Sequence, residues 1–149
     1  MFNKKVLIVA ADYYEEITTN LIEGAEKIFK EADIIVEIAK TNGSFEIPFL
    51  INKNLEKYDG FVALGCIIRG ETYHFELIAN EVSRKIMDLS IQSNKPIGFG
   101  IITCENMQQA KARSNKIETW SNTKESFRKA KKTNKGIEAA VVVLNNIHW

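Results

Sequence analysis

Four short apolar runs punctuate the chain: KVLIVAA (5–11), IIVEIAK (34–40), FVALGCII (61–68) and IGFGIIT (97–103). Runs of this length, continuous and rich in Val and Ile, read as buried strands of a parallel sheet. Between them the spacing of apolar residues turns helical. Ile17, Leu21, Ile28 and Phe29 share one face of a helix over 15–31, and Ile78, Val82, Ile86 and Leu89 do so over 73–91. Pro48 suits a first helical turn, so PFLINKNLEK predicts about three turns ahead of Tyr58. GIEAAVVVLNNI (136–147) reads as a last amphipathic helix, although its Val run alone would permit a strand.

Strict alternation of strand and helix implies right-handed crossovers that place helices on both faces of the sheet. The expected fold class is α/β, a three-layer α/β/α flavodoxin-like domain around a four-stranded parallel sheet. A chain of 149 residues, 45% hydrophobic, suits one domain over 1–149. The stretch 114–133, SNKIETWSNTKESFRKAKKT, is polar, basic towards its end and without a sustained apolar stripe, so it reads as an excursion from the sheet.

Twenty Lys and Arg balance nineteen Asp and Glu, which leaves no overall field for nucleic acid or an anionic membrane. Cys66 and Cys104 are too few for a disulfide scaffold, and no apolar run suits a bilayer span or a secretory signal. The reducing cytoplasm is the expected compartment.

Open parallel sheets bind ligands beyond the carboxyl ends of their strands. DYYEE, TNGSFEIP, RGETYH and TCENMQQAKAR follow the four strands in turn, which gathers the unusual polar and aromatic residues at one edge. Gly70 is expected to let the backbone turn and Thr72 to cap a helix beginning near Tyr73, whose free N–H groups suit a phosphate. His74, one of two histidines, then lies in the first helical turn, where an imidazole can exchange protons. Taken alone, a lone histidine there reads first as a capping or surface residue. Cys66 and Cys104 read as small apolar filling rather than nucleophiles.

NGSFEIP (42–48), ALGCIIRGETYHFE (63–76), PIGFGIITCENMQQAKAR (96–113) and NKGIEAA (134–140), in this order, resemble the lumazine synthases of riboflavin biosynthesis. The resemblance implies condensation of 5-amino-6-(D-ribitylamino)uracil with 3,4-dihydroxy-2-butanone 4-phosphate, releasing phosphate and water. It implies small-molecule substrates and no metal or organic cofactor. In keeping with that, two histidines and two cysteines supply no convincing metal set, and neither a Walker loop nor GxGxxG occurs.

Residue by residue, the resemblance makes His74 the proton-transfer group for Schiff-base formation and phosphate elimination. It assigns Gly70, Glu71 and Thr72 to a phosphate-binding turn and Arg113 to the same phosphate, with Lys135, paired in motif with Glu138, as a further contributor. Ser44, Phe45 and Glu46 match the segment holding the pyrimidine and ribityl groups; Phe45 read by itself is as readily core packing. Ile67 and Ile68 match positions whose backbone faces the heterocycle, and Phe99 one that reaches into a neighbouring subunit's site. Tyr13 stands where the family stacks an aromatic ring on the pyrimidine, but Asp12-Tyr13-Tyr14 replaces a pattern resembling Arg-Phe-Asn. Stacking survives that change, whereas a contact needing the asparagine amide does not.

The family forms pentamers, some closed into sixty-subunit shells. Only four residues precede the first strand here and the 114–133 connection is long, so a homo-oligomer at the pentamer or pentamer-dimer level is expected. Two rival readings are a non-catalytic lumazine- or flavin-binding protein of the same fold and, more remotely, a structural shell protein.

Overall fold

Alternation along the first strand sets the architecture of the chain, which a computed structural model describes over residues 3–117 and 123–149. In β1 (Lys5–Ala11), Val6, Ile8 and Ala10 point to one side and Leu7, Val9 and Ala11 to the other, and both sets are buried. A strand covered on both faces belongs inside a parallel sheet. β1 pairs in parallel with β2 (Ile35–Thr41) and with β3 (Gly60–Ile68), which in turn pairs with β4 (Ile97–Cys104). The order β2-β1-β3-β4 is that of the expected flavodoxin-like three-layer fold.

On one face, α1 (Glu15–Glu31) and α6 (Lys135–Asn146) bury Leu21, Phe29, Ile137 and Val143 against Val6, Ile8, Val62 and Leu64. On the other, α2 (Ile47–Lys53) and α3 (His74–Ser93) bury Ile47, Ile51, Val82, Ile86 and Leu89 against Leu7, Val9, Phe61 and Ala63. α6 lies close over β4 because Gly98 has no side chain: a Cβ there would strike the Ala139 carbonyl. Helix packing at this range resolves the Val run of 141–143 as helix.

Two expectations need correction. β2 is not buried. It starts one residue later than expected and runs along the sheet's margin, with Ile35 44% and Ile38 39% exposed. α2 spans two turns rather than three: its C-terminus closes at Asn54, whose side-chain amide donates to the Leu50 carbonyl at 2.7 Å, and 54–57 is turn. Within the polar stretch, Lys124–Thr133 forms a further helix, α5; 118–122 lie outside the described residues. The Thr123 side chain caps α5 by accepting from the Ser126 N–H at 3.1 Å, while Phe127 and Ala130 pack against the α1–α6 core. Two apolar residues on ten make too thin a stripe to read from sequence.

The ends of that stretch are drawn together. Ser114 and Asn134 form an antiparallel bridge, and the Lys135 N–H donates to the Arg113 carbonyl at 2.8 Å. Asn134, 1% exposed, caps α6 by accepting from the Ile137 N–H and donates its amide to the carbonyls of Asn20 and Asn115 at 3.0 and 2.9 Å. One buried side chain thus ties α6, α1 and the connecting chain.

Candidate active site

All four strands run in parallel, so their carboxyl ends share one edge of the sheet. The Asp12 N–H bonds the Thr41 carbonyl at 3.0 Å, and the Arg69 N–H bonds the Cys104 carbonyl at 2.9 Å, lacing the four exits in two pairs.

After β1, Tyr13 projects into solvent, 76% exposed, with its ring 4.9 Å from Tyr14 in an edge-on arrangement. Tyr14 is half-buried against the core, and burial followed by the neighbouring Cys66 raises its phenol above the usual tyrosine range. Tyr14 anchors and Tyr13 presents a free π face.

After β2, a 3₁₀ turn over Ser44–Glu46 leads into α2 and sits against β1, β3 and α3. Ser44 is buried, and its hydroxyl occupies the space that a side chain at Gly65 would need, 2.7 Å from the position of that Cβ. Phe45 is not core packing: it is 55% exposed, and Glu46 beside it is exposed too.

Half-buried Ile67 and Ile68 end β3, and Arg69 through His74 are all exposed. Two details differ from expectation. Tyr73, not Thr72, occupies the cap position, with helical φ of −67° and no side-chain cap bond; the Thr72 hydroxyl instead accepts the His74 N–H at 3.3 Å. Gly70 does not serve a left-handed turn, since no glycine has positive φ among the described residues, and a Cβ there would meet nothing within 4 Å. Its bareness leaves open surface in front of the α3 N-terminus.

Arg113, Lys135 and Phe99 form a separate group. They line a depression of about 410 Å³ at the β4 margin, to which none of Tyr13, Ser44, Phe45, Glu46, Ile67, Ile68, Gly70, Glu71, Thr72 or His74 contributes. The Arg113 guanidinium donates to the Gln109 carbonyl at 3.0 Å, Lys135 pairs with Glu138 at 2.7 Å, and Phe99 is 38% exposed. Of the anticipated residues, the depression therefore gathers Phe99, Arg113 and Lys135 alone. A larger cavity of about 640 Å³ runs along α1 past Glu15, Glu16 and Glu23 and has none of the anticipated residues on its wall.

The sequence model of the 6,7-dimethyl-8-ribityllumazine synthase family matches residues 3–149. The chain belongs to the lumazine synthase family. It is similar to the 6,7-dimethyl-8-ribityllumazine synthase of Agrobacterium fabrum, 44% identical over 120 residues, which cover 76% of this chain and 81% of that one. The Bartonella henselae protein of that name is 47% identical over 117 residues, 76% of each chain. That of Limosilactobacillus reuteri is 42% identical over 110 residues, 72% of each.

For a lumazine synthase of this kind, the residue that motif reading passed over is Arg69. Its guanidinium reaches the carboxylate of Glu76 in the first turns of α3, meets both oxygens of Glu105 at 3.0 Å and lies 4.4 Å above the Phe75 ring. It clamps the β3 exit, the α3 start and the β4 exit together, on either side of His74. Glu76 could have been suspected from sequence; Glu105 could not, because it depends on the register that sets Ile68 against Cys104.

Cys66 and Cys104 are both buried, as their reading as filling requires. Burial, reinforced by Cys104, pushes the Cys66 thiol up to about 12, and burial raises Cys104 as well, so neither is a thiolate at neutral pH. Among the described residues no His, Cys, Asp and Glu cluster is suited to a metal ion, and no helix is long and apolar enough to cross a membrane.

Proposed function

We infer that this lumazine synthase family member condenses 5-amino-6-(D-ribitylamino)uracil with 3,4-dihydroxy-2-butanone 4-phosphate in riboflavin biosynthesis. The observation that carries the reading is His74, exposed at the first position of α3 directly after the exposed Gly70–Thr72 loop, where the Thr72 hydroxyl accepts its backbone N–H at 3.3 Å. The pyrimidine stacks on Tyr13, with Glu46 and backbone groups near Ile67 and Ile68 taking its polar atoms and ribityl hydroxyls. Its free amine attacks the ketone. His74 moves the protons that let water leave as the Schiff base forms and lets the phosphate depart in the elimination that follows. The phosphate lies on the N–H groups of Gly70–Thr72 at the start of α3 and is gripped by Arg113 and Lys135.

Because the depression that holds Phe99, Arg113 and Lys135 has none of the other anticipated residues on its wall, the complete site is built between protomers, with Phe99 and Arg113 supplied by a neighbour. The outer face of α3 supports a homo-oligomer: Tyr73, Leu77, Met87 and Ile91 are 70%, 48%, 61% and 67% exposed and recur at helical spacing on one stripe. We read residues 1–149 as one cytoplasmic domain with a polar insertion over 114–133, assembling as a pentamer or a pair of pentamers. Light scattering is expected to give a particle five or ten times the 16.9 kDa chain mass; a megadalton particle would instead mean a closed shell.

Arg113→Ala tests the phosphate assignment. Charge-assisted hydrogen bonds contribute about 1.5–3 kcal/mol, so KM for the butanone phosphate should rise roughly 10- to 100-fold while KM for the pyrimidine stays nearly constant. Equal weakening of both substrates would contradict the role.

A further inference from the structure

The depression that holds Arg113 and Lys135 has two more cations on its wall, and both come from α5. Lys131 and Lys132, in the last turn of that helix, line it together with Thr103 of β4. Glu138 is the one carboxylate on the wall, and Lys135 already engages it at 2.7 Å. Arg113, Lys131 and Lys132 make no ion pair with any described carboxylate. Four positive groups against one negative group repel one another until a multiply charged anion enters.

Lysines at a helix end also offset the dipole of its last carbonyls. That role asks only for exposure to solvent near the terminus. It does not require two adjacent lysines to face the same hollow as the arginine that follows α4 (Met107–Ala112) and a lysine from α6. The placement is fixed from both sides. The Phe127 ring lies 5.1 Å from the Lys131 ammonium and packs against the core, and the Ser114–Asn134 bridge brings the end of α5 beside Arg113.

We propose that Lys131 and Lys132 of α5 are a second arm of the phosphate site, binding the dianionic phosphate of the substrate and the inorganic phosphate released from it. The proposal rests on the catalytic reading for the identity of the substrate, but the anion site itself can be probed without turnover.

The experiment measures inorganic phosphate binding by calorimetry on the assembled protein, for wild type, K131Q/K132Q and a control, K124Q/R128Q, which removes the same charge from the far turns of α5. Exposed ion pairs contribute up to about fivefold each, so K131Q/K132Q should weaken phosphate binding by about tenfold and the control by less than about twofold. The butanone phosphate KM should rise in parallel with kcat held within about twofold. Circular dichroism and the conservative K131R/K132R, which should recover binding, separate loss of the site from loss of the fold. Equal effects of the two charge-removing pairs, or no effect of either, would overturn the proposal. Lysine-dependent phosphate binding in a wild-type protein that forms no lumazine would overturn the catalytic reading alone.

Discussion

His74→Ala is expected to lower kcat by about 10²- to 10⁴-fold, the range for removal of a positioned proton shuttle. The substitution is a clean one. His74 is exposed at the first position of α3, and its imidazole makes no hydrogen bond or ion pair among the described residues; the helix start is held by the backbone N–H on Thr72 and by the Arg69 clamp on either side. Thermal stability should therefore hardly change. Lumazine absorbance and phosphate release, followed together, should fall in step, since one group serves both the imine-forming and the eliminating steps. Wild type and variant that both match the spontaneous reaction would leave a protein that binds its ligand without turning it over.

Gly136→Ala should be among the most damaging additions of a single methyl group at the described glycines. α6 begins where it crosses α1, and a Cβ at Gly136 would fall on the Leu21 carbonyl oxygen and within 2.8 Å of its carbon. Neither backbone can yield: Leu21 is fully buried, and Asn134, two residues before the glycine, is fixed by three hydrogen bonds. Overpacking of this kind costs about 3 kcal/mol or more, a drop of roughly 6–12 °C in Tm for a chain of this length. Gly70→Ala is the counterpart, because a Cβ there touches nothing, and its Tm should stay within about 1–2 °C of wild type. Denaturation at matched protomer concentration compares the two. Equal stabilities would mean that α6 can lift off α1.

These two glycines show what local sequence carries. Both stand in motifs, RGET and NKG, and nothing in the letters says that one keeps a surface bare while the other lets two helices touch. β1 and α1 were legible to the residue, because period and length are local properties. The exposure of β2 was not, since a strand's rank in the sheet is decided by partners distant in sequence. α5 escaped notice for the opposite reason: its stabilising contacts are few, and a threonine cap with two inward residues suffices. Convergence of the four strand exits followed from parallel pairing alone. The gathering of Phe99, Arg113 and Lys135 in one depression did not, because it reflects where β4 ends up, at the margin of the sheet.

The bridge between Ser114 and Asn134 makes the intervening chain a closed detour. Its ends are stitched whatever its length, and doubling such a loop adds only about 0.6 kcal/mol of closure entropy. Sequence can enter or leave there without moving Arg113, Lys135 or the strands beneath them. The bridge acts as a socket: lineages can trial new surface chemistry beside an old reaction centre while the scaffold underneath stays unaltered.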